Sequence, residues 1–255
     1  VSAAGTLYFS PYRGSQVSLY TPLGWRLRSF SEVSLSLSSL ASSTNYDVFL
    51  YDLDGALTLQ AAAWTADTTR AAALAWQDGV PVQTGAPERR YLGTIRTSAA
   101  GQGEDSALRR FVWNYNNRRV RSLRVAEQTD LWTYNVRTLR PFNNSTANRV
   151  EFVLGLLEDA VQLNFCAFAK AASAANFGIG IGLDSITADD PLVVKNAGGS
   201  TTGDGLSAVY SGLPGQASYH YLQLLEIAAS AVTTTYYGNR DLELEQSGAS
   251  GFVMA

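Results

Sequence analysis

Apolar and polar residues alternate with a period of two along most of this chain, a pattern that buries one face of a strand and cannot bury one face of a helix. In EVSLSLSSL, Val33, Leu35 and Leu37 alternate with Ser34, Ser36 and Ser38, which describes a half-buried antiparallel strand with a hydroxyl-covered outer face. GWRLRSF repeats the pattern, with Trp25 and Leu27 opposed to Arg26 and Arg28. In the next strand Tyr46, Val48 and Leu50 point one way while Asp47, Phe49 and Tyr51 point the other, so both of its faces must be covered. Asp54 and Gly55 then supply the left-handed backbone angles of a tight hairpin turn into Ala56 to Ala63.

Only Thr68 to Trp76 reads as helix: Thr68 or Thr69 can cap it, Ala71 to Ala75 favour it, and Asp78 and Gly79 end it. A last strand, Tyr91 to Arg96, closes the first unit, and the small polar run Ser98 to Ser106 is the best linker. From Ser122 a second series of short strands follows, through SLRVAE, LWTYNV, RVEFVLGL, AVQLNFCAFA, FGIGIGL, LSAVYS, YHYLQLLEI, TTTYYG and GFVMA. The fold expected is therefore all-β: a small N-terminal β domain with one short helix over residues 1–97, a connector over 98–121, and a jelly-roll-like C-terminal β-sandwich over 122–255. In FGIGIGL, Phe177, Ile179, Ile181 and Leu183 fill one face while Gly178, Gly180 and Gly182 leave the other bare. Such a face admits another backbone or a ring, and an inter-sheet or inter-subunit contact is expected there in preference to a weak edge strand.

A length of 255 residues with 46 % hydrophobic content is ample for a full core, and charged residues at 16 % leave a surface solvated by hydroxyls and backbone, as on extracellular or virion surfaces and on ordinary low-charge β proteins. Lys170 and Lys195 are the only lysines, so positive charge sits almost entirely on guanidinium groups, which suit planar pairing and stacking at interfaces. A net charge of −3 gives no reason to expect nucleic-acid binding. Cys166 stands alone, so no intrachain disulfide forms, and without a nearby His it is no nucleophile. No stretch approaches the roughly 20 apolar residues of a membrane span. No secretory signal is expected at Val1.

The densest constellation is RRFVWNYNNRRVRSLR, where Arg109, Arg110, Arg118, Arg119, Arg121 and Arg124 interleave with Phe111, Trp113 and Tyr115. Rings and guanidinium groups of this kind can hold single-stranded nucleic acid, but the negative net charge favours a connector with buried rings and arginines paired to carboxylates. An assembly interface is expected here, formed by Arg109, Arg110, Phe111, Trp113, Tyr115, Arg118, Arg119 and Arg121.

Asp47, Asp52 and Asp54 lack the spacing of a calcium loop, and Asp184, Asp189 and Asp190 read as a solvated loop in preference to a calcium site. The single histidine, His220, reads as a polar strand residue beside Tyr219 and Tyr221, because no nucleophile elbow accompanies it. Glu151, Glu158 and Glu226 are the carboxylates to check for glycoside cleavage. Asn143 and Asn144 read as loop residues whose side chains cap backbone groups. Neither cofactor nor metal is expected.

The blocks NYDVFLYDLDGALTLQAAAW, DTTRAAALAWQDGVPVQTG, ERRYLGTIRT, RRFVWNYNNR, WTY, NNSTANRVEFVLGL and SGASGFVMA, in this order, resemble a module of structural proteins of tailed bacteriophages. The likeness covers most of the chain, and it departs at Asn116, where an aromatic is implied, and after Arg119, where a proline is implied. The resemblance implies a virion component on the particle exterior, at the tail or the capsid surface. The role expected is a non-enzymatic tail-fibre or adhesion protein that binds a host receptor. The alternatives are capsid decoration or a head fibre, and a polysaccharide-degrading tail protein. The expected partners are copies of itself in a homo-oligomer, with a trimer favoured, other virion proteins, and a host cell-surface glycan. Tyr210, Tyr219, Tyr221, Tyr236 and Tyr237 are the candidates for sugar contact, although alternation requires some of them to face the core.

Overall fold

The structure is a computed structural model that describes residues 3–239 and 245–255. Among the described residues there is no α-helix, and the only helical turn is the short 3-10 turn Phe142–Asn144. The all-β expectation holds, and the sheets build a curled, jelly-roll-like sandwich preceded by a smaller sheet unit.

In the first unit the strands lie in the order Thr69–Arg70, Ala56–Ala66, Asn45–Leu53, Ala86–Ala99, Val80–Gln83 and Leu74–Gln77. Asp54 and Gly55, at φ 50° and 91°, close the hairpin between the second and third of these, as the Asp-Gly pair requires. The hairpin Gln16–Thr21/Gly24–Ser29 and the pair Thr6–Phe9/Val33–Ser36 belong to the same unit. Val17, Leu19 and Leu37 pack there with Tyr46, Val48, Leu50, Leu59, Leu92 and Ile95 in one buried cluster.

The helix expected over Thr68 to Trp76 does not form. Thr69–Arg70 folds back on Trp64 and Ala66, and Leu74–Gln77 pairs with Val80–Gln83. Asp78 and Gly79, at φ 50° and 81°, are a second Asp-Gly hairpin turn and not a helix end. The physical reason is length: a window of about nine residues cannot recover the cost of helix nucleation, whereas each strand here gains a ready-made partner.

The second unit is two facing sheets. One runs Arg109–Arg110, Arg149–Val153, Tyr219–Ile227, Phe177–Leu183, Ala197–Gly198; the other runs Val120–Ala126, Gly248–Met254, Val161–Ala171, Asp204–Gly212, Val193–Lys195. Val161, Leu163, Phe165, Ala167 and Ala169 point into the core, while Gln162, Asn164 and Cys166 stay exposed. Phe177, Ile179 and Ile181 also enter that core. The bare glycine face of this strand is not packed against a second sheet at Gly180 and Gly182. The chain's own loop covers it: a Cβ on Gly180 would collide with the Asp189 carboxylate, and one on Gly182 with the carbonyls of Ser185 and Ala188.

The two units share one core. Phe49, Tyr91 and Trp113, from the first sheet and its partner strand, belong to the same buried cluster as Phe152, Leu154, Phe165 and Tyr236 of the sandwich. The strand Ala86–Ala99 runs past residue 97 and turns back at Gln102–Gly103, within the run Ser98 to Ser106 expected as a linker. Residues 109–121 are then woven into both units: Arg109–Arg110 pairs in parallel with Glu151 and Phe152, and Val112–Asn114 pairs with Gly93 to Ile95.

Gly155 marks how closely the units approach, because a Cβ there would meet the Tyr91 hydroxyl, the Trp113 ring and the Thr94 hydroxyl. Gly155→Ala is expected to cost at least about 2 kcal/mol in urea unfolding, as overpacking of a rigid contact does. Gly205→Ala, whose Cβ would meet nothing within 4 Å, is the control and should change stability little.

Candidate functional site

The connector arginines separate into two classes. Arg109 forms ion pairs with Glu104 at 3.2 Å and Glu151 at 3.1 Å, Arg110 with Asp105 at 3.0 Å, and Arg118 with Glu158 at 2.5 Å and Asp159 at 2.6 Å. These three are half-buried and act within the chain. Arg119 and Arg121 are exposed and form no ion pair among the described residues. Phe111 and Trp113 are buried in the protomer, so their rings pack internally; Tyr115 is half-buried beside Tyr91 and Trp113.

Behind the connector lies a lattice of charges that the alternation pattern alone does not reveal. Asp47 is buried, and its carboxylate accepts hydrogen bonds from Arg70 Nε at 2.7 Å and Thr94 Oγ1 at 2.7 Å. Burial outweighs these partners and pushes its carboxyl above the ordinary value. Arg70 also donates to the Gly155 carbonyl and lies over the Trp64 ring at 4.4 Å. Arg96 pairs with Asp67 at 2.6 Å and stacks over Tyr219 at 3.9 Å, and the Tyr219 hydroxyl donates to Glu151 at 2.6 Å. Burial opposes ionisation of Glu151, but Tyr219, Arg149 and Arg109 together outweigh it and hold the carboxyl below its ordinary value.

The tyrosines nominated for sugar contact are largely claimed by the fold. Tyr210 is buried, and burial pushes its hydroxyl up to about 12. Tyr236 is buried and donates to the carbonyls of Ile227 at 2.6 Å and Gly178 at 3.1 Å. Tyr237 is buried with Lys170 over its ring at 5.7 Å. Tyr219 and Tyr221 are half-buried, and Tyr221 carries Arg149 over its ring at 4.8 Å.

The catalytic constellations weighed from sequence are not assembled. His220 Nδ1 contacts Asp184 Oδ2 at 2.7 Å, but Nε2 faces the Gln216 carbonyl at 2.9 Å, where a hydrolase would place its serine. Glu226 is buried and bonded to Trp132 Nε1 and Arg140 Nε, both at 2.7 Å, and burial raises its carboxyl despite them. Glu151 lies opposite Tyr221, five residues from Glu226 on the strand Tyr219–Ile227. An odd spacing puts the two carboxylates on opposite faces and roughly 16 Å apart along the strand, beyond either glycosidase geometry. Glu158 is paired to Arg118. Among the described residues no three His, Cys, Asp or Glu side chains gather as metal ligands.

One open cleft, of about 1130 Å³, combines three distant segments. The N-terminal segment contributes Tyr8, Tyr12 and Arg13, the first unit's hairpin and central strand contribute Ser18, Leu27 and Arg90, and the connector contributes Asn114, Asn116, Asn117, Arg118 and Arg119. Asn114 Oδ1 accepts the backbone N–H of Asn116 at 2.9 Å and of Asn117 at 3.1 Å, an Asx turn that fixes the connector wall. Arg90 Nη1 donates to the Ser18 carbonyl at 2.9 Å and hydroxyl at 3.1 Å, tying wall to floor. Sequence reading missed this cleft. The available signal was the absence of acids in YRG (Tyr12 to Gly14) and NYNNRR (Asn114 to Arg119).

The lattice around Glu151 generates a pH test. Its folded carboxyl titrates below the ordinary 4.5, so the stability it contributes is present above that value and is lost as pH falls through the folded value. Glu151→Gln should therefore lower stability at pH 7 by roughly 1–3 kcal/mol, and the deficit should vanish in acid. Urea titrations of both proteins across pH 3 to 7 check it; a deficit independent of pH overturns the assignment.

No protein-family model matches the chain, and a search of curated proteins gives no significant match.

Proposed function

We propose that the chain is a non-enzymatic structural protein on the exterior of a tailed-bacteriophage virion, acting as a tail-fibre or adhesion component. The sequence resemblance suggests the virion. The observation that carries the mechanical part is the continuous core that joins Phe49, Tyr91 and Trp113 to the sandwich, reinforced by the Asp47–Arg70–Gly155 contacts. A part that transmits force between a particle and a cell needs units that do not flex against each other, and a shared core supplies that stiffness.

The protein assembles as a homo-oligomer, a trimer in this reading, and binds other virion proteins at one end and a host glycan at another. For the subunit contact, Arg121 remains exposed on the connector. On the other face of the same strand and its neighbour, Val120 and Phe252 present apolar surface together with the exposed Arg124. Such a mixture of guanidinium and apolar groups fits an interface.

Light scattering on the purified chain at micromolar concentration should give three times the monomer mass; a monomer counts against assembly. Antibodies against the chain should label the tails of the particles whose genome encodes it. Labelling of the head replaces the fibre reading with capsid decoration, and absence from the particle overturns both.

A further inference from the structure

We propose that the cleft between the N-terminal segment and the connector binds an acidic oligosaccharide, its carboxylates seated among Arg13, Arg90 and Arg119. The preference for an anion rests on charge and geometry alone; naming a saccharide as its source rests on the adhesion reading above.

Charge is the first observation. Of the four arginines lining the cleft, Arg118 is already paired to Glu158 and Asp159, while Arg13, Arg90 and Arg119 form no ion pair among the described residues. Apart from the two partners of Arg118, the carboxylate bonded to a lining residue among the described residues is Glu32, which accepts from the Ser10 hydroxyl at 2.6 Å. Arg90 is the group least at rest. Its Nε is buried without a hydrogen-bond partner, and burial disfavours its charged form. A half-buried cation without a counterion is costly, and one carboxylate in the cleft removes that cost.

The second observation is that the unused polar groups are donors. The amide oxygens of Asn114, Asn116 and Asn117 accept from the connector backbone, from Arg90 and from Arg119, whereas none of their Nδ2 groups is used among the described residues. Free N–H groups surrounded by guanidinium groups select a ligand rich in acceptor oxygens.

The third is the pair of rings at the rim. Tyr8 and Tyr12 are 58 % and 59 % exposed, and Tyr12 is held by Arg119 and Arg13 at 4.3 and 5.6 Å from its ring centre. An exposed ring fixed in this way offers a flat face to the apolar side of a pyranose. Nucleic acid would also meet rings and guanidinium groups, but the net charge of −3 opposes it.

Calorimetric titration of the full chain with oligogalacturonate and oligosialate tests this, with an uncharged galactose oligomer of equal length as control. Binding of an acidic oligomer is expected, weakening with salt, and absent for the neutral one. Arg13→Gln and Arg119→Gln, both at exposed positions, should each weaken it at least about tenfold without shifting the melting temperature, because each removes a charge-assisted contact. Absence of binding to both acidic oligomers at millimolar concentration, or binding untouched by both substitutions, overturns the proposal. Equal binding of inorganic sulfate or of a polyglutamate peptide overturns the saccharide. A chain that fails here yet still binds host cells leaves the adhesion reading intact and refutes this one alone.

Discussion

The structure depends on one burial problem: the strand Asn45–Leu53 is apolar on both faces and has to be covered twice. Tyr46, Val48 and Leu50 are covered within the first unit. Phe49 on the opposite face, with Tyr91 and Trp113, is covered by the sandwich. Asp47 shares that second face, and a carboxylate there is tolerable only if it is paired and hydrogen-bonded. Arg70 and Thr94 meet that requirement, and Arg70 continues to the backbone of Gly155. Solving the burial problem therefore fixes how the two units sit against each other.

From that joint follows the division of labour among the arginines. Those that lie between the units have carboxylates within reach: Arg70 with Asp47, Arg96 with Asp67, Arg109 with Glu104 and Glu151. Arg13, Arg90 and Arg119 lie where the connector meets the N-terminal segment, and none of them forms an ion pair among the described residues. A planar guanidinium can satisfy a fold by pairing, stacking or donating to carbonyls. The same residue type is thus structural at the joint and unsatisfied at the cleft, and the difference lies in the neighbours.

Much of the fold was legible because strand patterns and turns are local. Alternation in Val161–Ala171 reports burial residue by residue, apolar residues on both faces of Asn45–Leu53 report cover on both sides, and Asp54–Gly55 declares its hairpin. Asp78–Gly79 carries the same turn chemistry, but Ala71 to Ala75 ahead of it favour helix, and propensity alone cannot weigh a strand partner that arrives from Val80–Gln83. In Phe177–Leu183 the bare face was visible, while its cover, the loop from Ser185 to Asp189, has no pattern of its own. The tyrosines show the same limit: alternation says that some must be buried, and only the packing says that Tyr210, Tyr236 and Tyr237 are the ones. The cleft was the least legible, since it joins positions 8–18, 90 and 114–119, which no local pattern brings together.

The joint and the cleft are coupled through the connector. Trp113 is fixed in the shared core, and the next residue, Asn114, holds the Asx turn that positions Asn116 and Asn117. Backbone pairing of Arg119 with Ala255, at 2.9 and 3.0 Å, secures the far end of the same segment to the sandwich. The connector wall is consequently anchored at both ends before any ligand arrives. Ordering a wall on binding costs affinity, and a wall already ordered by the fold avoids that cost. The burial that locks the two units together is also what lets exposed residues such as Asn116 and Arg119 hold a fixed geometry at the surface.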